Sequence, residues 1–272
     1  MLFRDFLVIL RGGGDLATGV AARLHRAGFP LIILELPEPL VVRRTVALAG
    51  AVNDGEVAVE DLRARRASDA AEAAALAGSG VIPVLVAPTL EPVLAALPRP
   101  AQVVVDARLA KRNIDTHRDQ APLVIALGPG FTAGDDCDAV VETMRGHGMG
   151  RVLWRGTALP DTGQPGVIAG KGAERVLRAP ADGVVIWQRE IGDLVVEGEL
   201  LGHVAGVAVN APFAGVVRGL LASGTTVNRE MKIGDVDARG DVAACFQISD
   251  KALAVGAGVL EAVLVWLNRL QR

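Results

Sequence analysis

The stretch Leu7-Val8-Ile9-Leu10-Arg11-Gly12-Gly13-Gly14-Asp15-Leu16-Ala17-Thr18-Gly19 decides the fold. An apolar run turns on a glycine cluster and opens a helix-like segment, Val20 to Ala27, that stops at Gly28. A second apolar run, Pro30 to Leu34, ends at Glu35. Strand, glycine turn, helix, strand and acid is the order of a dinucleotide-type βαβ unit. Small residues at Gly12, Gly14 and Ala17 let the backbone approach a phosphate. The helix N-terminus at Thr18 and before it offers free N–H groups and the positive end of a dipole. Glu35 lies 21 positions after Gly14, near the spacing of a ribose ligand. The Asp15 carboxylate opposes a phosphate, and Arg11 offsets it. A second reading stands beside this one: a tight turn whose glycines serve packing alone.

Outward from that stretch, composition narrows the choice. A chain of 272 residues holds two domains and a real core. Aromatic residues are 3 % and tyrosine is absent, so base stacking on single strands is not expected. The net charge of −3 gives no basic field to draw in nucleic acid. The start, Met1-Leu2-Phe3-Arg4-Asp5, carries an acid and runs into the first strand, unlike a signal peptide. Cys137 and Cys245 stand 108 positions apart with no CxxC, which suits reduced thiols and a cytoplasmic protein. The run Ala252 to Leu267 is 16 residues long with Glu261 inside it, so a buried terminal helix is expected and no membrane span.

Two textures follow one another. From residue 1 to 150, apolar runs alternate with Ala-rich helical stretches: a helix capped by Ser68, a strand from Val81, a helix near Leu90 to Leu97, and strands ending at Asp106 and at Gly128-Pro129-Gly130. This predicts an α/β domain with a Rossmann-like, parallel, doubly wound sheet of nucleotide-binding type. Such sheets bind ligands at strand C-termini, which gathers Arg11 to Asp15, Glu35, Asp106 and Gly128 to Gly130 on one rim. After a connecting segment, 151–174, the region 175–245 turns to short Val-rich strands and repeats itself. Residues 177–204 match 209–236 at an offset of 32: Ala179-Pro180 with Ala211-Pro212, Gly183-Val184-Val185 with Gly215-Val216-Val217, Gly192 with Gly224, Gly202 with Gly234. Two such β units stacked face to face resemble a biotinyl/lipoyl-type barrel-sandwich hybrid, a small all-β domain followed by a C-terminal helix over 246–272. The joint Ala205 to Val209 has no lysine, so attachment of a prosthetic group is not expected.

The remaining constellations each carry two readings. Asp235-x-Asp237-x-Arg239-Gly240 fails as a calcium loop, because Arg239 and Phe246 stand where oxygen ligands belong; a polar turn with a surface ion pair is expected. Asp135-Asp136-Cys137-Asp138 offers carboxylates to a metal or, more simply, acids to a helix N-terminus. The segment Glu142 to Arg151 sets acid, arginine and His147 among glycines and suits an anionic ligand, a proton transfer or a solvated linker. Arg43 with Arg44 fits a phosphate or carboxylate clamp. Arg108, two residues past a strand end, is placed for ligand contact. No metal site is expected, and no catalytic residue is assigned.

Several longer motifs, in order, carry a resemblance. They are Arg11-Gly12-x-Gly14-Asp15-Leu16-Ala17-x-Gly19, Arg43-Arg44-Thr45-Val46-Ala47, Val105-Asp106-Ala107-Arg108, Leu127-Gly128-Pro129-Gly130-Phe131-x-Ala133-Gly134-x-Asp136 and Glu142-Thr143-x-Arg145-Gly146-His147. Glu174 to Pro180, Lys232 to Arg239 and Ile248 to Ala252 continue it. Together they resemble the YqeB family, accessory proteins of selenium-dependent molybdenum hydroxylase systems. The N-terminal half is also similar to the Rossmann part of xanthine dehydrogenase accessory factors. The resemblance implies a role in cofactor maturation or enzyme assembly, with a molybdenum hydroxylase as partner. The ligand is left open between NAD(P), another nucleotide and molybdopterin. An NAD(P)-dependent oxidoreductase, a non-catalytic scaffold docking a partner through the β domain, and a homo-oligomer remain compatible with the residues.

Overall fold

The computed structural model describes residues 2–163, 166–167 and 169–271, which form two compact units. The first takes Met1–Pro39, Ala47–Asp161 and Ile248–Arg272; the second takes Leu40–Val46 and Thr162–Gln247. The C-terminal helix therefore belongs to the first unit, and the segment 40–46 leaves it for the second.

In the first unit the strands are β1 (Val8–Arg11), β2 (Leu31–Glu35), β3 (Glu56–Val59), β4 (Leu62–Ala67), β5 (Ile82–Val86), β6 (Val103–Asp106), β7 (Leu123–Leu127), β8 (Thr132–Ala133), β9 (Ala139–Val141), β10 (Val152–Leu153) and β11 (Gly156–Thr157). The helices are α1 (Asp15–Arg26), α2 (Ala51–Asp54), α3 (Ala70–Ser79), α4 (Glu91–Ala96) and α5 (Asp250–Leu270). Nine strands join in the order β10-β9-β7-β6-β1-β2-β5-β4-β3.

The expected Rossmann-like, wholly parallel sheet is not what forms. The sheet is mixed: β3 pairs antiparallel with β4 at one edge, and β10 antiparallel with β9 at the other. The β3–β4 case has a local cause. Val59 faces Leu62, so only Glu60 and Asp61 make the turn, and a turn that short cannot return a parallel strand. Glu60 adopts φ 53°, as such a hairpin requires.

The inner strands β1, β2 and β6 are apolar up to their last residues, Arg11, Glu35 and Asp106, because both faces are covered. Residues of α3 and α4, including Ala73, Ala77 and Val93, share a cluster with Ile9, Ile32, Val104 and Val124. Asp69, not Ser68, caps α3: its side chain accepts the Glu72 N–H, while Ser68 donates to the Glu72 carboxylate. On α1 and α5 the contact is backbone to backbone. A Cβ on Gly19 would lie 2.3 Å from the Ala252 carbonyl oxygen, and one on Gly256 2.3 Å from that of Gly19. The buried face of α5 also carries the large residues Val255, Val259, Val263 and Leu267. Ala252, Gly256, Gly258 and Ala262 are buried, whereas Leu264 and Leu270 are exposed. By length and composition the stretch Ala243–Leu270 is also long and apolar enough to cross a membrane.

The second unit holds β12 (Val176–Arg178), β13 (Gly183–Trp187), β14 (Leu194–Val195), β15 (Leu200–Val204), β16 (Val207–Asn210), β17 (Gly215–Leu220), β18 (Thr226–Val227) and β19 (Lys232–Asp237). They make two four-stranded antiparallel sheets, β12-β19-β17-β14 and β16-β15-β13-β18. The expected barrel-sandwich hybrid, with one β unit per sequence copy, is not what forms. The first copy supplies β12 to β15 and the second β16 to β19, so each sheet takes two strands from each copy. The copies exchange strands, and each completes the other's sheet. Leu177, Val185, Leu201, Val217, Ile233 and Val236 then share one core.

Candidate functional site

The order of the large sheet places one crevice. From β1 the chain proceeds through β2 and β5 to one side, and later through β6, β7 and β9 to the other. Ligands of open α/β sheets bind outside strand C-termini where the direction of winding reverses. Here that point lies between β1 and β6, beyond Arg11 and Asp106, which are paired in register.

The glycines of the turn do not share one duty. Gly12 has φ +96°, and a Cβ on it would stand 3.2 Å from the Ala107 carbonyl oxygen. A Cβ on Gly13 would stand 2.9 Å from the Ala49 nitrogen, whose N–H is bonded to the Gly13 carbonyl. These two therefore serve packing. Gly14 is half-exposed and begins α1 without any side-chain cap. Asp15 is also half-exposed, Ala17 is buried, and the buried Thr18 hydroxyl donates to the Gly14 carbonyl and accepts the Leu48 N–H. Glu35 does not stand free for a ribose. Its Oε2 accepts the Gly13 N–H at 2.7 Å and its Oε1 the Leu36 N–H at 2.8 Å.

Across the crevice, Arg11 and Asp106 are buried and join Arg108 in one network. Arg108 donates to both oxygens of Asp106, with Nη2–Oδ2 at 2.6 Å, and to Asp115 at 2.7 Å. Arg11 Nη2 reaches Asp115 at 2.8 Å, and the Thr116 hydroxyl donates to Asp106 at 2.6 Å. Two guanidiniums thus meet two carboxylates in charge-assisted bonds. Burial would lower the Arg108 pKa, but the bonds and charge of Asp106, then Asp115, carry it upward. Burial would raise that of Asp115, and the two arginines outweigh it and hold the carboxyl below its usual range. Leu109 and Lys111 take φ 55° and 62°, a costly conformation outside glycine, in the loop that brings Asp115 and Thr116 to the network. No motif announced Asp115 or Thr116. Only the Asp106-x-Arg108 spacing at a strand end hinted at a network here.

The other expected residues fall around this loop or away from it. Asp136 accepts from Asn113 at 2.8 Å and from the Thr132 N–H, in a turn between β8 and β9 rather than at a helix N-terminus. A Cβ on Gly130 would meet the Arg112 nitrogen at 2.4 Å, and one on Gly128 the Thr143 hydroxyl at 2.5 Å, so this turn packs on its neighbours. Glu142 is buried, with its carboxylate bonded to the N–H groups of Met144 and Leu159. His147 is exposed. Arg43 lies in the second unit, where it pairs with Asp235 at 3.3 Å. Cys137 is buried, and burial, with the charges of Asp136 and Asp138, pushes its thiol up to about 12, which removes it as a nucleophile at neutral pH. Among the described residues no group of three or more His, Cys, Asp or Glu side chains is placed to hold a metal ion.

Comparison with curated proteins finds a relative over most of the chain. The chain is 49 % identical over 263 residues to the uncharacterized protein YqeB of Escherichia coli (strain K12), across 97 % of this chain and 48 % of that protein. The chain spans about half the length of the curated relative it matches. An identity this high supports membership of the YqeB family. No family model matches the chain. In part it is similar to a succinylglutamate desuccinylase/aspartoacylase from Rhodobacter sphaeroides, 20 % identical over 52 % of this chain and 60 % of that one, with a TM-score of 0.24. An aspartoacylase family protein from Mesorhizobium loti is 15 % identical over 85 % of this chain and 84 % of that one, with a TM-score of 0.27. Scores this low carry no argument about this chain.

Proposed function

We propose that this protein binds an anionic small molecule, a nucleotide or molybdopterin-type ligand, at the switch point of its large sheet. In that role it serves the maturation or assembly of a selenium-dependent molybdenum hydroxylase. The observation that carries the binding part is the uncapped, half-exposed start of α1 at Gly14, set between β1 and β6. The N–H groups of the first turn and the dipole recognise the anion. The Arg11–Asp106–Arg108–Asp115 network fixes the facing wall, where the partly exposed Asp115 offers a carboxylate to ligand hydroxyls. The hydroxylase part rests on the motif resemblance alone.

A scaffold reading draws on one observation: the Glu35 carboxylate already occupies the Gly13 N–H, and Gly12 and Gly13 are needed for packing. The oxidoreductase reading gains nothing comparable, since the Arg108 hydrogen bonds go to Asp106, Asp115 and Thr116. Deleting the gene in a host that carries the hydroxylase is the test. The expected result is hydroxylase protein that accumulates with little activity, and recovery when the wild-type gene is returned. Full hydroxylase activity in the deletion strain would overturn the proposal.

A further inference from the structure

The second unit buries a charge cluster that its sequence motif did not announce. Asp235 and Asp237 are not on a surface turn: they lie on β19, 0 % and 2 % exposed. Arg175 donates to Asp235 Oδ2 at 2.8 Å, and Arg43 reaches the same oxygen at 3.3 Å. Arg239 takes both oxygens of Asp237, with Nη2–Oδ2 at 2.6 Å.

Arg218 is left over. It sits where the β17–β19 register shifts between Val217 and Gly219, the kind of bulge that re-aims a side chain. Its Nη1 lies 3.5 Å from Asp237 Oδ2, an ion pair without a hydrogen bond. Yet the side chain is only 8 % exposed. Burial, then the charge of Arg43, depresses its pKa, and an arginine cannot escape by losing its proton. Among the described residues three buried side-chain polar atoms lack a hydrogen-bond partner: Arg218 Nη1, Arg175 Nε and Asp235 Oδ1. All three belong to this one cluster. Buried polar atoms are nearly always satisfied, so such a concentration points to a missing partner.

We infer that the Arg218 cluster is a second anion site, distinct from the α1 crevice, and that it takes a phosphate-type oxyanion carrying an O–H. Two unsatisfied donors call for acceptor oxygens, and one unsatisfied acceptor calls for a donor. Hydrogen phosphate and a singly protonated phosphate monoester offer both; a carboxylate offers no donor.

Titration of the full chain with inorganic phosphate at constant ionic strength, followed by calorimetry and by thermal melting, tests this. The expected result is saturable binding that Arg218→Gln weakens by about tenfold or more, the loss of a charge-assisted bond. Circular dichroism of Arg218→Gln is expected to match wild type, because Asp237 keeps its hydrogen bonds from Arg239 when the Arg218 charge is removed. If Arg218→Gln does not fold, Arg218→Lys, which keeps the charge without the fork, serves instead with the same expected loss. Acetate in place of phosphate is expected to produce no saturable binding. The variant Gly14→Val separates the two sites: phosphate binding that survives it and falls with Arg218→Gln belongs here. Binding that falls only with Gly14→Val, or equal binding by wild type and Arg218→Gln, would overturn the inference, as would the absence of phosphate binding to wild type.

Discussion

Replacing Gly14 with valine is expected to weaken binding of the nucleotide or molybdopterin ligand by roughly a hundredfold, about 2.7 kcal/mol. The fold is expected to survive. Gly14 has φ −67° and ψ −175°, extended backbone that any residue adopts. The backbone there accepts a valine, and a weaker helix start costs about 1 kcal/mol. Its side chain would stand over the first-turn N–H groups and keep a phosphate from the backbone. The same change at Gly12 or Gly13 is uninformative, because their conformation or close contacts would disturb the turn itself. Calorimetric titration beside a thermal melt checks the prediction. Undiminished affinity in a folded Gly14→Val protein would count for the scaffold reading.

Gly256→Leu is expected to destabilise the protein by about 3 kcal/mol or more, at the upper end of overpacking costs. A leucine would have to enter space held by the backbone of Gly19 and Val20, and backbone cannot yield as a side chain can. Leu264→Ser, on the exposed side of α5, is expected to stay within about 0.5 kcal/mol of wild type. Urea midpoints of the two variants decide it; a Gly256→Leu midpoint equal to wild type would show that α5 does not seat on α1 through this contact.

What the sequence disclosed and what it hid divide along physical lines. The runs that became β1, β2, β6 and β7 were legible because burial on both faces leaves them apolar almost to their ends. The β3–β4 hairpin was missed because its turn is Glu60-Asp61, without the Asn or Gly that marks such turns, and its polar face is rich in arginine and glutamate. That hairpin is also what makes one edge of the sheet antiparallel. The repeat was legible as an offset, but similar copies carry no mark saying which strand pairs within its own copy and which with the other. Asp235 and Asp237 looked like a surface turn because acids alternate with small and apolar residues there. The arginines that bury them, Arg43, Arg175 and Arg218, are remote in the chain. The buried face of α5 mixes Ala252 and Gly256, which meet the backbone of α1, with Val255, Val259, Val263 and Leu267.

The central claim is that the start of α1 holds an anionic ligand. Mass spectrometry of gently purified protein from its native host, first under native conditions and then after denaturation, tests it most directly. The expected result is a near-stoichiometric, phosphate-bearing nucleotide or pterin that leaves on denaturation and is absent from Gly14→Val. Protein at its bare mass that also fails to bind NAD(P), other nucleotides and molybdopterin when they are added back would contradict the account.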